Sequence, residues 1–142
     1  MQVVIFAETE RGLEFLLLRR LASHGGFWQS VTGSLEGRET HLDAAVREIR
    51  EETGIIARPG DLIDLDLINT FEIAPQWLPR YAPGVTHNEE ICFALRVEKR
   101  EVRIDLSEHD SCTWVDSDTA LEMLHWVSSK RALIRLLEMR RE

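Results

Sequence analysis

Two cysteines are all that the 142 residues contain, and neither Cys92 nor Cys112 carries the paired Cys/His spacing of a zinc site. With no secretory leader ahead of them, both are expected as reduced core residues instead of a disulfide. Long apolar runs are missing too. None exceeds the five residues of Val3 to Ala7, far short of the ~20 needed to span a bilayer, so a cytoplasmic location is expected. Basic residues are in deficit, 17 Lys and Arg against 25 Asp and Glu, for a formal net charge of −8. That balance argues against a general nucleic-acid or anionic-membrane surface, both of which need a basic footprint. A phosphate ligand is still within reach if a metal ion supplies the positive charge. Repeats, low-complexity tracts and linkers are absent as well, and the length suits one domain over residues 1–142.

What the chain does contain is strand-like at its start. Val3 to Ala7 and Glu14 to Arg19 are β-rich runs around a polar turn, which predicts a hairpin. Their near-continuous apolar character predicts strands covered on both faces. Phe27 to Thr32 has strand composition and leads straight into Gly33, Leu62 to Ala74 predicts one long or broken strand, and Glu90 to Val97 another. Three of the four prolines fall in Pro75 to Pro83, which predicts a loop or lid beside the sheet. A strand over Cys112 to Val115 follows. Asp116 then caps a short helix through Met123, and Ser128 or Ser129 is expected to cap a last helix with Ala132, Leu133, Leu136 and Leu137 on its buried stripe.

The informative stretch is Gly33 to Ile55, GSLEGRETHLDAAVREIREETGI. Thr40 and Asp43 have capping-box spacing and Gly54 sits where a left-handed stop is wanted, so a helix over His41 to Thr53 is predicted. At about 100° per residue, Leu42, Ala45, Val46, Ile49 and Thr53 share one stripe. Glu48, Glu51 and Glu52 gather on another. Acids at i, i+3 and i+4 repel, each pair costing roughly 0.2 to 0.5 kcal/mol, and they lie in the last turn, where the helix dipole disfavours negative charge. A solvated acidic face is the bland explanation. A hard divalent cation such as Mg²⁺ would remove both penalties.

The wider spacing decides between them. Gly33, Glu39, Arg47-Glu48-Ile49, Glu51-Glu52 and Gly54-Ile55 satisfy all nine fixed positions of G-x5-E-x7-R-E-U-x-E-E-x-G-U, with U aliphatic, and so the stretch resembles the Nudix box. The resemblance implies an α/β fold, the Nudix-type α/β/α sandwich with a mixed β-sheet between helices. It also implies hydrolysis of a nucleoside diphosphate linked to another group with Mg²⁺ or Mn²⁺. Glu48, Glu51 and Glu52 then match metal-binding and base-providing positions, with Glu39 in support and Arg47 orienting the acids.

FWQSVTGS at Phe27 to Ser34 and RYAPGVT at Arg80 to Thr86 resemble the branch of that family that acts on pterin triphosphates. That resemblance makes Glu108 a metal ligand from outside the box, with His109 merely its neighbour. It also makes Arg19 and Thr32 phosphate contacts, and Phe71, Glu72, Ile73 and Ala74 a wall of the base or pterin pocket, with Tyr81 as a stacking face. The implied reaction is cleavage of a small-molecule triphosphate, dihydroneopterin triphosphate before others, to the monophosphate and pyrophosphate. A housecleaning hydrolase of dATP or oxidised nucleotides, and a nucleotide-binding domain without catalysis, are the alternatives. Oligomeric state is not readable from the sequence.

Overall fold

The computed structural model describes residues 1–141. Seven strands form one mixed sheet, β1 (Gln2–Thr9), β2 (Gly12–Arg20), β3 (Trp28–Gln29), β4 (Val31–Thr32), β5 (Leu62–Glu72), β6 (His87–Arg96) and β7 (His109–Asp116), with helices α1 (His41–Thr53), α2 (Ser117–Met123) and α3 (Val127–Arg141). The central path runs β3-β2-β1-β6-β5, β4 pairs with β1, and β7 pairs with β2. Among the ladders between described strands, β1–β6 is parallel and the others are antiparallel. The predicted hairpin is present, tightened to a turn at Glu10 and Arg11 because Thr9 pairs with Gly12. Gly12 holds φ +107°, a conformation that favours glycine.

Period-two alternation divides the apolar runs between two cores. Val3, Ile5, Leu16 and Leu18 face α1 with Ala44, Ala45 and Ile49. Val4, Phe6, Phe15 and Leu17 face α2 and α3 with Ala120, Leu124, Ala132, Leu133 and Leu136. The sheet is therefore covered on both faces, as the unbroken apolar character of β1 and β2 requires. No helix among the described residues is long and apolar enough to cross a membrane.

Several expectations need correction. Phe27 to Thr32 is two short strands, because Ser30 breaks the run and sends β3 to β2 and β4 to β1. Cys92 is buried in the core but Cys112 is exposed on β7, and both are free thiols. Leu42 lies outside the buried stripe of α1, and Ala44 takes its place against the sheet. The last helix begins at Val127, so Ser128 and Ser129 lie inside its first turn, and Ser129 is buried. Asp116 does cap α2, accepting from the Thr119 amide at 2.8 Å.

Both ends of α1 are specified locally. The Asp43 amide donates to Thr40 Oγ1 and the Thr40 amide donates to Asp43 Oδ2, each at 3.1 Å, and Gly54 closes the helix at φ +76°. Thr40→Ala removes the cap that satisfies one orphan donor of the first turn. It is expected to lower the unfolding free energy by about 1 kcal/mol in urea titration. No measurable loss would mean that packing alone sets this helix start.

Candidate active site

The loop after β4 brings the chain over the side of α1. Gly33 lies against the Glu48 carboxyl group so closely that a Cβ there would occupy the space of Glu48 Cγ and Cδ. Glycine is needed at this position for room, since its own φ is not left-handed. The loop ends at Glu39, whose carboxylate takes the Glu36 amide at 2.8 Å and faces back toward α1.

Arg47 joins the loop to the helix. Its Nε donates to Glu39 Oε2 at 2.8 Å and one terminal nitrogen to Glu39 Oε1 at 3.0 Å, a forked pair that only a planar guanidinium makes. That second nitrogen also donates to the Ser34 carbonyl at 2.9 Å. Its other terminal nitrogen donates to Glu48 Oε1 at 2.7 Å and to Glu51 Oε2 at 3.2 Å. The hydrogen bonds from Arg47 and the Glu36 amide hold the Glu39 carboxyl below the usual carboxylate range. The acids in turn keep the guanidinium fully charged.

Glu52 is in a different setting. It lies one turn past Glu48, is 2 % exposed, and its Oε2 has no hydrogen-bond partner. Burial, then the Glu48 charge beside it, then Glu108, push its carboxyl well above the ordinary range, against a small opposing pull from Arg20. Glu108 ends the turn before β7 and is anchored there by the Leu21 amide, which donates to its carbonyl at 3.1 Å. One ligand atom each from Glu52, Glu108 and His109 lie within 4.8 Å of one another. The structure thus brings Glu108 to the end of α1 from a turn 56 positions past Glu52 along the chain.

His109 sits closer than a mere neighbour. It is fully buried, its Nδ1 lacks a partner, and its Nε2 is 3.7 Å from Glu52 Oε1, too long for a hydrogen bond. Burial first and then the Arg20 charge lower its pKa, so the imidazole is neutral. An oxygen-rich donor set with a buried, unpartnered carboxylate oxygen fits a hard divalent cation, and cation charge would relieve the penalty that burial places on ionised Glu52. Glu48 Oε1 is engaged by Arg47, while Glu51 stands at the solvent-facing rim with its side chain 47 % exposed.

Gly33, which lies against Glu48, also lines a cleft of about 430 Å³ with Thr32, Ser34, Phe71, Tyr81 and Glu90, among others. Thr32, Phe71 and Tyr81, three of the expected substrate contacts, share this cleft with the box-loop residues Gly33 and Ser34. Glu72, Ile73 and Ala74 do not line it: Glu72 is exposed, and Ile73 is buried with its amide donating to the Thr86 carbonyl at 2.8 Å. Arg19 is turned to Asp110, donating from Nε at 2.8 Å, and lies 5.7 Å over the Trp28 ring. Arg20, next along the strand, is the cation whose charge reaches Glu52.

Residues that sequence reasoning passed over are Gln29, Glu90 and Trp126. Glu90 lines the main cleft and an adjoining one of about 260 Å³ that Gln29, Phe71 and Trp126 share. Trp126 is half exposed and packs edge-on to Phe27 at 5.1 Å and to His125 at 4.7 Å between ring centroids. A tryptophan just ahead of the last helix is legible in the sequence, but its exposure appears only in the fold.

Gly33→Ala pushes a methyl group into the Glu48 carboxyl and must displace it. The expected outcome is at least tenfold weaker Mn²⁺ binding by calorimetry with an unchanged far-ultraviolet dichroism spectrum, in line with losses on disturbing the shell that orients ligands. Unchanged affinity would show that Glu48 position is irrelevant to the cation.

Comparison with known proteins supplies the lineage. The NUDIX domain family model matches residues 1–137. The chain is 39 % identical over 133 residues to the dihydroneopterin triphosphate diphosphatase of Escherichia coli, covering 92 % of this chain and 86 % of that protein. It is 35 % identical to the protein of the same name in Haemophilus influenzae over 137 residues, 95 % of this chain and 85 % of the relative. The solved structure of the E. coli dihydroneopterin triphosphate pyrophosphohydrolase superimposes with a TM-score of 0.75 at 37 % identity, over 93 % of this chain and 89 % of that one. Sequence, fold and the arginine-bound acids of the box loop agree, and the chain belongs to the Nudix family.

Proposed function

We propose that this chain, acting as one domain, is a divalent-metal-dependent pyrophosphohydrolase that cleaves a pterin or nucleoside triphosphate to the monophosphate and pyrophosphate, with dihydroneopterin triphosphate as its substrate. The observation that carries the reading is the convergence of Glu52 and Glu108, with Glu48 alongside and lying against Gly33, a residue of the box loop that lines the cleft. The name shared by the relatives in E. coli and H. influenzae supports the choice of substrate.

Glu48, Glu52 and Glu108 would hold Mg²⁺ or Mn²⁺, with Glu51 at the rim as a further ligand or a base. A bound divalent cation supplies charge stabilisation at the phosphoryl oxygens and lowers the pKa of the attacking water. The chain itself supplies position. Arg47 and Glu39 fix the direction of the Glu48 carboxylate, and Gly33 leaves it room. Thr32 offers a hydroxyl at the mouth of the cleft, and Phe71 and Tyr81 offer flat faces for a bicyclic ring. Arg19 would reach a phosphate only after leaving Asp110, whereas Arg20 already lies within electrostatic range of the acids. A binding domain freed of catalysis would have no reason to keep Glu52 buried beside two other acids, since that arrangement costs stability without a cation.

Glu52→Gln keeps shape and removes the buried charge. The apo variant is expected to fold and to be at least as stable as the parent in urea. Pyrophosphate release from dihydroneopterin triphosphate is expected to fall by more than about 100-fold, beyond what disturbing a supporting residue costs. Turnover by the parent in excess chelator, or an active Glu52→Gln variant, would overturn the metal role. A parent that prefers dATP would assign the chain to nucleotide housecleaning instead.

A further inference from the structure

Glu90 is the charged side chain common to both parts of the cleft, and its carboxylate is unusually well held. It lies opposite Asn69 in the β5–β6 ladder. Its Oε1 accepts from Gln2 Nε2 at 2.8 Å and from Asn69 Nδ2 at 3.3 Å. Gln2 is fully buried and Asn69 is 3 % exposed, so both donors approach from inside the protein. Two donors occupy the two acceptor sites of Oε1. Among the described residues no hydrogen bond reaches Oε2, and Glu90 itself lines both parts of the cleft. Phe71, which lines both parts of the cleft, and Trp126 across the smaller part provide aromatic walls around this acceptor.

An anionic acceptor held in one orientation between aromatic faces recognises a particular chemistry. The 2-amino-4-oxopyrimidine edge, shared by pterins and guanine, presents a ring N–H and an exocyclic amine side by side, both donors. Adenine presents one amine beside a ring nitrogen that is itself an acceptor and is repelled by a carboxylate. We infer that Glu90 is the specificity-determining residue of this site, reading the paired donors of a 2-amino-4-oxopyrimidine ring and discriminating against adenine. The inference rests on the triphosphate reading above and deepens it. It also gives Gln2 and Asn69 a positioning role, because they fix the carboxylate before any ligand arrives and so reduce the ordering cost of binding.

The test compares substrates and bases. Glu90→Gln exchanges one acceptor oxygen for a donor amide, the pattern that suits adenine. It is expected to lower kcat/KM for dihydroneopterin triphosphate relative to dATP by about tenfold to a hundredfold, mostly through KM, the range set by one well-made base-edge contact. An unchanged ratio, with both substrates losing equally, would overturn the inference and leave Glu90 as a structural part of the floor. A second measurement needs no variant and no turnover: calorimetric binding of the α,β-methylene analogues of dGTP and dITP, which differ only by the 2-amino group. The unmutated protein is expected to bind the dGTP analogue about tenfold more tightly, and equal affinities or binding of neither would overturn the inference. Failure of the parent to release pyrophosphate from any triphosphate, with the dGTP analogue still preferred, would count against the hydrolase reading and not against Glu90.

Discussion

The site depends on one guanidinium. Arg47 holds Glu39 by a forked pair, the Glu48 carboxylate by a 2.7 Å bond, Glu51 at 3.2 Å and the Ser34 carbonyl at 2.9 Å. Without that cation Glu48 and Glu51 would lose the ion-pair partner they share among the described residues, at the wrong end of the helix dipole. With it, the box loop is fastened across the helix and Glu48 is aimed at the neighbourhood of Glu52. A lysine could neutralise charge here but could not fork to one carboxylate while bonding another and a carbonyl.

Charge compensation stops short of Glu52. Arg47 makes no hydrogen bond to it, and among the described residues His109 is its nearest basic contact, kept neutral by burial and by Arg20. The fold therefore carries a buried acid with an orphan oxygen where β7 delivers Glu108. That stability cost is borne by the two cores that clasp the sheet, with Val3 and Ile5 on one side and Val4 and Phe6 on the other. A rigid scaffold surrounds a deliberately uncomfortable site, which is a common arrangement where function needs charge in a buried place.

Local signals were the legible ones. Thr40, Asp43 and Gly54 set α1 within their own few residues, and the structure has the helix at His41–Thr53 as predicted from them. Arg47 and Glu39 could be placed together because the box spacing ties a loop to a helix a short distance away. What could not be read was long-range. The break at Ser30 depends on two different partner strands, Cys112 is exposed because β7 lies beyond β2 on the sheet, and Leu42 points outward because Ala44 fits closer to the sheet. The cleft wall was harder still. Phe71 is part of it but Glu72, Ile73 and Ala74 are not, since the strand pleat turns successive side chains to opposite faces and the chain leaves the ladder after Glu72. Glu90, Gln2 and Asn69 meet only through pairing of β1, β6 and β5, a triad without any sequence spacing.

The central claim is that Glu52 and Glu108, with the arginine-held Glu48 beside them, complete one divalent-cation site at the end of α1. Anomalous diffraction from crystals soaked in Mn²⁺ tests it most directly. The account predicts a peak bonded to carboxylate oxygens of Glu52 and Glu108, at oxygen distances of roughly 2.0 to 2.6 Å. A crystal with Mn²⁺ bound elsewhere and these two carboxylates unligated would contradict it.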